Sequence, residues 1–275
     1  MRCPAWRLLL VHFEADTPIM WERLRKFLVL VAFKTLAELR TERQRTYLGF
    51  LWWLFEPTFF MLVFYLVFGV LMKRGGPDFV PALLCGVIFW QWFGSCVMHS
   101  TTSIKSAMPL SRSVRLPMTL FPLSTLLADT IKFLFVLLVL VLVLTCLGHP
   151  PNMAYLALPA ILATQFMLIC GISFIVSALV PLVPDLRFVI SPILQGVMFL
   201  SAVFYTFKSV SPGMRHWLSL NPMALIIESG RNLLLYGTVP DLHVLAIITL
   251  ASTLTLAVGL LLVTRLSPVY PKLAD

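Results

Sequence analysis

The chain reads as an all-α polytopic membrane protein. Hydrophobic residues make up 59% of its 275 residues and charged residues only 12%, with a mean hydropathy of +0.93. A soluble domain carries about 25% charged residues, so half the usual charge is left to cover a surface, which only a bilayer tolerates. Charge-free runs long enough to span recur along the chain, and the basic residues between them fall mostly on one side. The same numbers exclude a disordered chain, a coiled coil and a disulfide-stapled secreted domain. The formal net charge of +9 belongs to the two sides of the membrane before any other partner.

A span needs about 20 apolar residues, and the gaps in charge predict six of them, near 51–72, 80–102, 122–147, 155–180, 187–207 and 243–264. The longest gap, 133–184, holds two spans split at Gly148-His149-Pro150-Pro151-Asn152, a strong turn signal. Positive residues favour the cytoplasmic side. Nine precede the first span, Lys105, Arg112 and Arg115 sit in the next loop on that side, Arg187 in a third, and Arg265 and Lys272 in the tail. Fifteen of the 21 basic residues thus lie on one side, which places both termini in the cytoplasm. The basic excess is a topology signal, and no nucleic-acid partner is expected. Leu8–Val11 is too short for the apolar core of a signal peptide and is followed by Glu14 and Asp16, so the first span is expected to act as its own insertion signal.

Taken in order, residues 1–50 form an N-terminal cytoplasmic segment. Within it, Trp21, Leu24, Leu28, Val31 and Thr35 share one face of a helix expected to lie in the membrane interface, with basic residues toward the lipid headgroups. An extension of the first span is the alternative. Residues 51–264 form the transmembrane domain. Its first span is dense in aromatics, among them Phe59, Phe60 and Tyr65, and its second carries Phe89, Trp90, Trp92 and Phe93. Aromatics at span edges form interfacial belts, but the second cluster falls near mid-span. There the choice is between packing and a face on which sugar rings stack, and Phe204 and Tyr205 in the fifth span join the same candidate set.

The 103–118 loop is short, basic, apolar in part and bounded by prolines, which fits a short helix parallel to the membrane that a soluble partner can push on. Asp129 and Lys132, three apart on the third span, share a face and can neutralise each other; a lone charge there costs at least about 2.5–3.5 kcal/mol and marks function by default. Residues 208–242 lie outside yet are mostly apolar. Pro212 and Pro222 suit helix starts, Asn221 an N-cap and Gly237 a C-cap, giving helices near 212–219 and 222–235. Neither can span, so a hairpin dipping back into the bilayer is expected, with Glu228 and Arg231 paired at its mouth. Residues 265–275 are a cytoplasmic tail.

No P-loop, His-Glu-x-x-His or Gly-x-Ser-x-Gly is present. His12, His99, His149, His216 and His243 are scattered, and the five cysteines show no metal or disulfide spacing. No metal site, catalytic residue or cofactor is expected in this chain; a transporter without its own energy source needs an ATPase partner or is a passive pore.

Three stretches then carry a resemblance: Arg45-Thr-Tyr-Leu-Gly-Phe-Leu-Trp-Trp-Leu-Phe-Glu-Pro57, Gly86-Val-Ile-Phe-Trp-Gln-Trp-Phe-Gly94 and Leu220-Asn-Pro-Met-Ala-Leu-Ile-Ile-Glu-Ser-Gly-Arg-Asn232. In this order and spacing, over about 40–270, the chain resembles the membrane (permease) subunit of ABC-2 type exporters, and more closely the polysaccharide-export branch that handles O antigen, capsule and teichoic acid. The resemblance implies a homodimer in the bacterial inner membrane, joined to two copies of a separate ATPase that binds ATP and magnesium. It implies export of a lipid-linked polysaccharide, O antigen first, through a channel lined by the aromatics above. Lys105, Arg112 and Arg115 become the coupling segment, and Asn221, Pro222, Glu228 and Arg231 an external gate. Capsule, or a drug or small lipid, stays open as cargo, and an integral-membrane lipid-modifying enzyme is the reading from another class.

Overall fold

The computed structural model describes residues 20–45, 65–71, 78–113 and 116–270, with a few positions between 51 and 63. Eight α-helices are described: α1 (Met20–Arg45), α2 (Phe79–Ser113), α3 (Leu120–Cys146), α4 (Leu158–Leu179), α5 (Leu186–Phe199), α6 (Pro212–Leu218), α7 (Pro222–Tyr236) and α8 (Leu242–Leu266). Tyr65–Leu71 forms a short π-helix. No strand occurs among the described residues. Four helical stretches are long and apolar enough to cross a membrane: Phe79–Met108, Leu120–Cys146, Met153–Leu179 and Leu242–Leu266. The chain is a multi-pass, all-helical membrane protein. Part of the expected first span lies outside the described residues, Phe60 among them.

Helix α2 does not stop where its span was expected to end. It runs 35 residues to Ser113, about 52 Å at 1.5 Å per residue against a hydrocarbon core of about 30 Å. The expected separate helix over 103–118 is therefore, up to Ser113, the continuation of α2. The reason is local. No glycine or proline interrupts 95–108, and the hydroxyls that would compete for backbone groups bond back along the helix instead: Ser100 to Val97 O at 2.8 Å, Ser103 to Ser100 O at 2.8 Å and Ser106 to Ser103 O at 3.1 Å.

Helix α3 ends in a turn at Gly148, where His149 N donates to Leu144 O at 2.9 Å. Asn152 then caps the Met153–Ala157 turn by accepting from Ala154 N at 2.9 Å, and α4 returns antiparallel. Helices α4 and α8 meet backbone to backbone. A Cβ on Gly259 would lie 2.5 Å from Gly171 O, and one on Gly171 2.6 Å from Leu256 N. Apolar side chains gain little by meeting each other rather than lipid, so membrane helices associate through such close small-residue contacts.

Helix α5 is the clearest departure from expectation. Its 14 residues reach about 21 Å, short of a span, and it ends at Phe199 rather than near 207. Ser201 Oγ donates back to Val197 O at 2.7 Å, and Ala202 adopts φ 55°, a left-handed conformation that ends the helix for any L-residue. The chain stays mostly irregular to Ser211, apart from a 3₁₀ turn at Phe207–Ser209. Beyond it, Pro212 and Pro222 begin α6 and α7, Asn221 Oδ1 accepts from Met223 N at 3.0 Å, and Gly237 closes α7 at φ 64°.

Helix α1 docks lengthwise on α3. Val31 and Thr35 are buried, whereas Trp21, Leu24 and Leu28, expected on the same face, are exposed. The docking face runs instead through Val31, Thr35, Glu38 and Glu42, at i, i+4, i+7, i+11. Two of its four members are acidic, because the surface they meet carries polar and cationic groups.

Candidate functional site

Two polar constellations stand out from an apolar protein. The first joins α7 to the break after α5. Arg231, 1% exposed, spends its guanidinium on five acceptors. Nε donates to Ala82 O at 3.1 Å; Nη1 to Tyr205 O at 2.9 Å and Glu228 Oε2 at 3.0 Å; Nη2 to Ala202 O at 2.7 Å and Val203 O at 3.1 Å. Asn221 Nδ2 adds Leu200 O at 3.1 Å and Ser201 Oγ at 3.0 Å. The carbonyls released where α5 stops are thus taken up by α7 and its cap. Irregular backbone is tolerated at membrane depth only when it is satisfied this way. Burial draws the Arg231 pKa below the usual guanidinium value, and the Glu228 carboxylate opposes the shift. The fit is tight: a Cβ on Gly86 would lie 2.6 Å from Val203 O and 2.8 Å from Arg231 Nη2.

This junction floors a cavity of about 1020 Å³ whose wall includes Asp78, Phe79, Phe199, Phe204, Tyr205 and Tyr236. Phe204 lies against Phe199 with ring centroids 5.2 Å apart. The Tyr205 hydroxyl donates to Phe199 O at 2.9 Å. Of the candidate channel aromatics, Phe204 and Tyr205 line this cavity. Pro222 opens α7 and is not among the residues that line the cavity.

The aromatics of α2 pack within the subunit. Trp92 is 4% exposed. It stacks on Phe133 of α3 at 4.0 Å and 7°, faces Phe166 of α4 at 6.3 Å, and donates from Nε1 to Thr130 Oγ1 at 3.3 Å. Phe89 meets Phe133 edge-on at 6.1 Å and lies where Gly230 of α7 lacks a side chain, since a Cβ there would fall 2.7 Å from its ring. Trp90 leans on Phe93 at 5.1 Å, and both are buried. Phe59 is exposed at 68%. The side chain of Tyr65 and all of Phe60 lie outside the described residues.

The second constellation lies at the other end of the spans. Asp129 and Lys132 pair at 2.9 Å, as their spacing predicts, and two residues not singled out from sequence complete the group. His99 of α2 donates from Nδ1 to Asp129 Oδ2 at 2.8 Å, and Lys132 Nζ reaches Glu42 of α1 at 2.6 and 2.8 Å. Asp129 is 5% exposed, Lys132 13%. The signal for His99 was a histidine in a run with no other titratable side chain than cysteine. For Glu42 it was the Val31-Thr35-Glu38-Glu42 stripe, hidden because those residues mix apolar and acidic types. Lys105 is exposed six residues beyond His99 on α2. The Arg112 side chain and Arg115 lie outside the described residues.

The profile of the ABC-2 type transporter family matches residues 32–235. The chain is 25% identical over 238 residues to the O-antigen export system permease protein RfbA of Klebsiella pneumoniae, covering 86% of this chain and 92% of that one. It is 25% identical over 221 residues to RfbA of Myxococcus xanthus, covering 80% and 85%. It is 28% identical over 239 residues to the polysialic acid transport protein KpsM of Escherichia coli, covering 82% and 89%.

Proposed function

From the premise that this chain belongs to the ABC-2 type transporter family, we propose that it is the membrane subunit of an ATP-driven exporter of a lipid-linked polysaccharide, O antigen first. The observation that carries this reading is the near full-length match to relatives named for O-antigen export. Capsule is the second reading, supported by the similarity to the polysialic acid transport protein.

ATP is hydrolysed on a separate subunit that binds it with magnesium, two copies per homodimer of this chain, in the bacterial inner membrane. Both termini face the cytoplasm, on the positive-inside argument. The length of α2 supports the contact: about 20 Å of helix remains beyond a 30 Å core, and that end carries Lys105 and Arg112. At the opposite end the α6–α7 hairpin dips toward the bilayer and gates the exit, with Asn221, Pro222, Glu228 and Arg231 holding it in place. Phe204 and Tyr205 meet the emerging glycan.

A strain of the source organism lacking this chain tests the reading. Its surface glycan is expected to disappear, with lipid-linked intermediates accumulating inside, and complementation restores display. A deletion strain that still displays full-length glycan would sink the proposal. Loss of capsule with O antigen intact selects the second reading.

A further inference from the structure

We propose that Glu42, Lys132, Asp129 and His99 are positioning residues for transport: they clamp α1, α2 and α3 into one rigid unit that carries movement from the ATPase side into the membrane. The inference rests on the proposed function, since it concerns how that exporter is driven.

The chain of contacts is continuous. Glu42 on α1 holds Lys132 on α3; Lys132 holds Asp129 one turn away; Asp129 accepts from His99 on α2. Three helices meet in one group of side chains. Helix α2 then continues from His99 through Pro109 to Ser113, so the end expected to meet the ATPase is joined to the group through one helix.

The interface between α1 and α3 carries polar contacts from Lys34 to Glu42. Lys34 lies over the Phe121 ring at 5.6 Å, and its ammonium pairs with Glu38. Thr35 Oγ1 donates to Ser124 O at 3.2 Å. Glu38 accepts from Ser124 at 3.5 Å and Thr125 at 3.4 Å. Glu42 closes the series on Lys132. Positions 34 to 42 of α1 thus meet positions 121 to 132 of α3 in the same order, and the two helices run in the same direction. Apolar surfaces can slide past each other in lipid at little cost, whereas polar pairs fix one register.

Glu42 comes from a helix other than those that carry Lys132 and His99, and it is 43% exposed in the subunit. Its bond to Lys132 ties α1 to α3 at the end of the register that Lys34, Thr35 and Glu38 set.

The test uses the full chain assembled with its ATPase partner in lipid nanodiscs and in cells. Glu42→Gln keeps shape and hydrogen bonding but removes the ionic bond. It is expected to insert and bind the ATPase normally, while glycan exported per ATP hydrolysed falls roughly threefold to tenfold. An unchanged ratio overturns the proposal. Thr35→Cys with Ser124→Cys, bridged by oxidation, staples α1 to α3. Export is expected to survive the staple, because the two helices move together, and loss of export that reduction restores overturns it. A third measurement is independent of the cargo. Amide exchange of residues 31–42 is expected to rise in Glu42→Gln, and equal exchange in both proteins overturns the clamp even if the exported molecule proves not to be a glycan. Absence of glycan export by the wild-type complex, with exchange raised as expected, refutes the function and leaves the clamp standing.

Discussion

Arg231→Ala is expected to abolish export and to strip the hairpin from the rest of the subunit. The guanidinium holds four carbonyls and one carboxylate, and alanine leaves all five acceptors facing protein or lipid. Removing one member of a buried ion pair costs about 3–5 kcal/mol. Each orphaned buried carbonyl adds about 1–3 kcal/mol unless water reaches it, and the adjacent cavity gives water access to some of them. The sum is a large share of the roughly 5–15 kcal/mol by which a protein is stable. Arg231→Lys keeps the charge but not the planar fork, so it can retain Glu228 but not carbonyls on both Ala82 and Val203; an intermediate loss is expected. Thermal unfolding of the purified protein in detergent, alongside surface glycan in cells, checks both variants. A wild-type melting temperature for Arg231→Ala contradicts the pinning role.

Trp92→Ala is expected to damage the fold more than the passage of cargo. For the mid-span aromatics the sequence leaves packing and a sugar-stacking face open, and Trp92 is stacked against both Phe133 and Phe166. Truncating a buried tryptophan costs about 3–5 kcal/mol, and the stacked geometry adds about 0.5–1.5 kcal/mol beyond area alone. Trp92→Phe keeps a ring against Phe133 and loses the bond to Thr130, at a cost of about 0.5–1.5 kcal/mol. Melting temperatures are therefore expected to rank wild type above Trp92→Phe above Trp92→Ala, with export following stability. Slowed export by a Trp92→Ala protein of unchanged melting temperature returns this residue to the channel.

What was legible in the sequence is what depends on local chemistry. Apolar length marked four spans, Gly148 to Asn152 marked their turn, and Pro212, Asn221, Pro222 and Gly237 marked the ends of two short helices. The Asp129–Lys132 pair followed from i, i+3 spacing. Three features escaped because their causes are remote. Apolarity continues through Phe204 and Tyr205, so nothing local ends α5 at Phe199; the carbonyl partners that make the break tolerable sit some 30 residues on, at Arg231. The docking of α1 on α3 escaped because the apolar stripe was read as a membrane-interface face, and nothing in the spacing marked Glu38 and Glu42 as the side chains that meet the protein. The role of Trp92 needed Phe133 and Phe166, which no spacing within α2 reveals.

On the proposed function, this subunit moves a lipid-linked polysaccharide across the membrane with energy from ATP hydrolysed by its partner. Its most direct test is transfer in sealed vesicles containing this chain, the ATPase and a labelled lipid-linked glycan, with arrival in the opposite compartment followed by a membrane-impermeant lectin. Transfer is expected with ATP and magnesium, none with a non-hydrolysable analogue, and none with Arg231→Ala. Transfer that proceeds equally without ATP, or ATP hydrolysis that moves no glycan, would contradict it.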